Sequence, residues 1–93
     1  GTDLLKISKR WKKEIEDIGK YEVIGDAHIL SLIIGDEDKT MMMQKFLEEN
    51  GFLAVGIRPP TVQAGKSRIR LTIRSSLNTN ILKNFISVIK AYK

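Results

Sequence analysis

A doubled proline followed by a strictly alternating basic run constrains this chain more than any other feature. Ile57 to Ile73 reads IRPPTVQAGKSRIRLTI. Arg58 precedes Pro59, whose ring disfavours the α region for the residue before it, so Arg58 belongs at an extended strand end. Pro59 and Pro60 fix their own φ and donate no backbone hydrogen bond, so the strand stops there and a stiff loop follows. After the Gly65-Lys66 turn signal, Arg68 to Arg74 alternates, with Ile69, Leu71 and Ile73 on one face and Arg68, Arg70, Thr72 and Arg74 on the other. The first is a core face. The second is a row of guanidinium groups, readable plainly as the solvated side of an antiparallel sheet. Its sharper reading is a receiver of anions, because a planar fork of donors matches a carboxylate or phosphate bidentately. Arg58 and the Thr61 hydroxyl, carried on the stiff loop beside it, would help to shape such a site.

Upstream, Leu4, Ile7, Trp11, Ile15 and Ile18 recur three or four apart and predict one helix face, with Gly19 placed as its C-terminal cap. Lys9, Arg10, Lys12 and Lys13 on the other face are interleaved with Glu14, Glu16 and Asp17, the pattern of a solvated surface. Tyr21 to Asp26 reads as a short connection with a Gly25-Asp26 turn. His28 to Ile34 predicts a buried strand ended by Gly35. His28 is the only histidine, and with no Asp, Glu or Ser at a motif spacing it reads as structural. Asp36 suits an N-cap, and Glu37 and Asp38 favour the dipole of the second helix. That helix draws its apolar side from Met41, Met42, Met43, Phe46 and Leu47 and stops at Asn50-Gly51. No histidine or cysteine accompanies the methionines, so they fill core rather than hold a metal. Phe52 to Ile57 predicts a strand into the proline loop. A closing helix, capped by Asn78 or Thr79, buries Ile81, Leu82, Phe85, Ile86 and Ile89, with Tyr92 at its end.

The order helix, strand, helix, strand, strand, helix gives an α+β two-layer sandwich. A small, mostly antiparallel, three-stranded sheet carries helices on one face and leaves the arginine face open. With 93 residues there is room for a single domain, residues 1–93, comprising a leading helix (1–19) and the sandwich (20–93). The absence of cysteine excludes a disulfide framework and a thiolate metal site. No apolar run approaches the roughly 18 residues of a membrane span, and the expected location is cytoplasmic. A net charge of +5 suits nucleic acid or an anionic ligand. A small basic nucleic-acid-binding module is therefore the alternative class, but the strand Arg68 to Arg74 offers no aromatic ring on which a base could stack. An amino-acid-binding regulatory domain of ferredoxin-like type fits the element order and leaves Arg58-Pro-Pro-Thr61 unexplained.

Gly56-Ile-Arg-Pro-Pro-Thr-Val62, the spacer to Gly65, and Arg68-Ile-Arg-Leu-Thr-Ile73 resemble the C-terminal domain of the α-oxoamine synthases. These are acyltransferases that use pyridoxal phosphate to join an amino acid to an acyl thioester. Ile33-Ile-Gly-Asp36, the helix running to Gly51 and the closing helix also match, so the resemblance spans most of the chain from His28 onward. It departs at Ser31, where the family commonly has proline, and at Ser75-Ser-Leu-Asn-Thr79, where small residues followed by His-Thr are usual.

The resemblance implies a C-terminal fragment of a larger enzyme, with no catalytic, cofactor-binding or metal-ligating residue of its own. The Schiff-base lysine and the phosphate-binding groups would lie in a large domain outside this chain, in an enzyme expected to be a homodimer. Within the family, the Arg-Pro-Pro-Thr form implies L-alanine and a pimeloyl thioester as substrates, with a glycine-using sister synthase as the alternative. Arg70 would bind the carboxylate of the amino acid, and Arg58 and Thr61 would line the acyl-substrate side. No nucleic acid or membrane partner is implied.

Overall fold

The computed structural model describes residues 2–92; Gly1 and Lys93, the ends of the expected domain span, lie outside the described residues. Its elements are α1 (Thr2–Asp17), β1 (Glu22–Asp26), β2 (Ile29–Gly35), α2 (Glu37–Glu49), β3 (Val55–Ile57), β4 (Ser67–Thr72) and α3 (Thr79–Ala91). The strands form one antiparallel sheet in the order β1-β2-β4-β3. The α+β sandwich is as expected, with four strands in place of three. The additional one, β1, falls on the segment read as a connection. It contributes a single buried apolar side chain, Val23, and a glycine at its core-facing Gly25, so its alternation is too thin to read.

Helix ends follow from local chemistry. Asp36 caps α2 by accepting from the Lys39 N–H at 2.8 Å, and Asn78 caps α3 by accepting from the Ile81 N–H at 2.9 Å. α2 ends in a left-handed Gly51, with Phe52 N–H donating to Leu47 C=O at 2.8 Å and Gly51 N–H to Glu48 C=O at 3.1 Å. That reversal turns Phe52 toward the core, which is why the strand expected from Phe52 begins only at Val55. The three methionines also separate, because neighbours on a helix point about 100° apart: Met43 is buried and Met42 is exposed.

The core fills the space between the sheet and the helices. Val23, Leu30, Leu32, Ile69, Leu71 and Ile73 meet Trp11 and Ile15 of α1, Met43 and Leu47 of α2, and Leu82, Phe85 and Ile89 of α3. Phe85 is at its centre, with ring centroids 5.2 Å from both Trp11 and Phe52. β3 is a short edge strand, and its outward Gly56 N–H donates to Gln44 Oε1 of α2 at 2.6 Å. Such a bond blunts an edge that could otherwise pair with another strand. A Cβ there would stand a tight 3.0 Å from both Gln44 Oε1 and Met41 Sδ, so a larger residue would press on the Gln44 side chain that makes this bond.

The β1–β2 hairpin turns through Ala27 and His28, one step beyond the Gly25-Asp26 pair. Gly25 has φ +101°, and a Cβ on it would collide with the Ile29 carbonyl oxygen. Gly25→Ala is therefore expected to cost about 2–3 kcal/mol, read as a lowered urea midpoint. An unchanged midpoint would mean that β1 is not held in this conformation.

Candidate functional site

The register sets out the open face in rows. One row runs Ile24, Ser31, Arg70, Val55 across the four strands, the next runs Glu22, Ile33, Arg68, Ile57, and Ile29 stands opposite Thr72. Arg70 thus sits on inner strand β4, with Ser31 of inner strand β2 on one side and Val55 of edge strand β3 on the other. Ile24, Ile29 and Val55 are 38%, 41% and 43% exposed, and Leu53, just before β3, is 78% exposed. Aliphatic side chains this exposed around one arginine mark a face suited to being covered. None of the open-face residues in these rows is aromatic.

Periodicity put Arg68, Arg70 and Arg74 on one face without ranking them, and the structure distinguishes them. Arg68 is half-buried, and its Nε donates to the Lys66 carbonyl at 3.1 Å. Arg74 lies past the end of β4, where it lines two separate clefts. Arg70 is exposed and makes no side-chain hydrogen bond or ion pair with the described residues, among which the one ion pair is Lys13 with Asp17 at 3.0 Å. Its guanidinium is therefore free to take an anion.

Arg58 and Thr61 belong to one turn, closed by Thr61 N–H donating to Arg58 C=O at 3.1 Å around the cis Pro59–Pro60 peptide. Both are exposed. They are not beside Arg70: Val55 is the residue opposite it, and Arg58 is three residues further along, about 10 Å at the rise of a strand. The structure therefore gives an arginine on the sheet and a second polar group at the end of an edge strand, separated by roughly the length of a small substrate. Ser31, which the sequence marked only as a departure from the family pattern, and Val55 were not read as neighbours of Arg70. Their only signal is the pairing of β2 and β3 with β4. Among the described residues, no three His, Cys, Asp or Glu side chains stand close enough to hold a metal ion.

This arrangement of sheet and helices matches the fold of one part of the serine palmitoyltransferases. Serine palmitoyltransferase of Sphingomonas wittichii superposes with a TM-score of 0.85 over 97% of this chain and 23% of its own, at 22% identity. A further solved serine palmitoyltransferase, 18% identical and with a TM-score of 0.86, carries pyridoxal phosphate as an internal aldimine. At such identities the likeness establishes the fold. The sequence goes further, and this stretch is similar to one part of the 8-amino-7-oxononanoate synthases. It is 34% identical over 74 residues to 8-amino-7-oxononanoate synthase of Chlorobaculum parvum, covering 80% of this chain and 19% of the relative. Against the enzyme of the same name from Xylella fastidiosa it is 41% identical over 76 residues, covering 82% and 19%. The chain spans about a fifth of the length of these curated relatives. No protein-family model matches it.

Proposed function

We propose that this chain is the C-terminal small domain of an 8-amino-7-oxononanoate synthase, an enzyme that condenses L-alanine with a pimeloyl thioester on the way to biotin. The observation that carries this reading is Arg70, unpaired among the described residues at the middle of an open face rimmed by exposed aliphatics. In the parent enzyme, taken as a cytoplasmic homodimer, that face closes on the large domain. Covering Ile24, Ile29, Leu53 and Val55 removes apolar surface from water and takes Arg70 out of bulk solvent. A guanidinium held there gains strength as a carboxylate ligand because the local dielectric falls. Its fork fixes the plane of the amino-acid carboxylate, and with it the direction of the Cα bonds. Arg58 and Thr61, one turn away at the end of β3, serve the acyl substrate.

Pyridoxal phosphate supplies an electron sink for bonds at Cα when it is bound. The residues of this chain do not fit it. A Schiff-base lysine is withdrawn from solvent in a closed cleft, whereas the described lysines are exposed apart from the half-buried Lys12, which lies on α1 away from the open face. The cofactor accordingly belongs to the part of the parent enzyme outside these residues.

Adding pyridoxal phosphate to the 93-residue chain is expected to give no stoichiometric internal-aldimine absorbance. Such a band, lost on changing one lysine, would overturn the assignment. The longer reading frame that contains this chain should encode a lysine-bearing cofactor domain ahead of Leu4. Its product should release carbon dioxide from L-alanine only when a pimeloyl thioester is present. Turnover with glycine and a short acyl thioester instead would move the chain to a sister synthase.

A further inference from the structure

At the end of the sheet away from the proline loop, two turns lie against each other. Ile73 N–H donates to His28 C=O at 2.7 Å, which ties the start of the β4–α3 connection to the β1–β2 hairpin turn. Arg74 to Leu77 then closes as a turn of its own, with Leu77 N–H donating to Arg74 C=O at 3.0 Å and Ser75 and Ser76 at its corners. Between them is a cleft of about 630 Å³ whose lining includes His28, Arg74, Ser75, Ser76 and Asp3. The first four side chains are exposed and make no hydrogen bond or ion pair with the described residues. Two short turns thus hold a guanidinium, an imidazole and two hydroxyls around one space, with their donors unspent.

A carboxylate accepts about four hydrogen bonds, all close to one plane, whereas a phosphate group presents three or four strong acceptor oxygens in a tetrahedral arrangement and can meet donors that arrive from two separate turns. We propose that this cleft binds a phosphate group, as the free ion or as a monoester, with Arg74 as its principal ligand and His28, Ser75 and Ser76 as further donors. Asp3, at the start of α1, also lines the cleft, and its carboxylate opposes an anion and lowers the affinity. The site is separate from Arg70, which precedes Arg74 by four residues of near-extended chain, up to about 13 Å at the rise of a strand, and it does not depend on the synthase reading. It also gives His28 a role that its sequence neighbours do not suggest, because its partners arrive from the far end of the chain.

The test is an amide NMR titration of the 93-residue chain with sodium phosphate and, separately, glycerol 3-phosphate, against sodium chloride at matched ionic strength. Saturable shifts confined to His28 and to Ser75 through Leu77 are expected. Saturation by both probes assigns the free ion as a ligand, and saturation by the ester alone assigns a carried phosphate. Arg74→Ala should weaken binding about tenfold or more, the weight of one charge-assisted contact. Arg74→Lys should fall between, and Asp3→Asn should tighten binding. The dispersion of the same spectra shows that each variant is folded. Shifts that grow linearly with salt, that spread over Lys9, Lys12 and Lys13 of α1, or that survive Arg74→Ala unchanged would overturn the proposal.

Discussion

Phe85→Ala is expected to remove about 3–5 kcal/mol of stability, the usual cost of deleting a fully buried aromatic ring. Phe85 has no exposed surface, and its ring lies 5.2 Å from Trp11 of α1 and 5.2 Å edge-on from Phe52 of the α2–β3 turn. Removing it strands two other aromatics as well as opening a void, and the helix that carries it loses its central anchor between Leu82 and Ile89. Domains of this size hold about 5–15 kcal/mol in total, so the variant should be partly unfolded at 25 °C or unfold at a far lower urea concentration. Leu53→Ala gives the contrast. Leu53 is 78% exposed, and its loss from the 93-residue chain should change stability by about 0.5 kcal/mol or less. A Leu53→Ala loss comparable to that of Phe85→Ala would show that the Phe52–Ala54 segment packs differently from the arrangement described.

What could be read in the sequence was local chemistry. Asp36 and Asn78 announce their helices because a cap works through an amide three residues on, and Gly19 and Gly51 mark helix ends because a left-handed residue follows each one. The arginine strand was legible for a similar reason: Ile69 and Leu71 with Arg68 and Arg70 carry a full alternation. β1 was not, because Val23 alone supplies its buried side and Gly25 reads as a turn although it sits inside a strand. Nor could the surroundings of Arg70 be read. They depend on Ser31 and Val55 arriving from β2 and β3, and register is set by pairing between distant segments. The same limit hid the cleft at His28, whose neighbours Ser75 and Ser76 are distant in sequence. Local signals placed the elements, and among the arginines it was the family resemblance, not periodicity, that singled out Arg70.

That ranking yields the largest functional effect. In the parent enzyme, Arg70→Ala is expected to lower kcat/KM for the amino acid by about 2–5 kcal/mol, or from roughly 30-fold to several thousand-fold, because a carboxylate in a covered site is left without its partner. Arg70→Lys keeps the charge and loses the fork, so it should fall between the wild type and Arg70→Ala. Neither change should alter the urea midpoint of the 93-residue chain by more than about 0.5 kcal/mol, since Arg70 is exposed there and bonded to no described group. Arg68→Lys and Arg74→Lys serve as neighbours on the same strand face. Arg68 is turned to the Lys66 carbonyl and Arg74 lies beyond the strand end, so each should cost amino-acid kcat/KM less than about 1 kcal/mol. Cofactor content is measured separately in every variant, which separates a lost carboxylate contact from a lost cofactor. Should Arg70→Lys behave as wild type while Arg74→Lys loses affinity for the amino acid, the carboxylate site lies at the end of β4, and the role assigned to Arg70 is wrong.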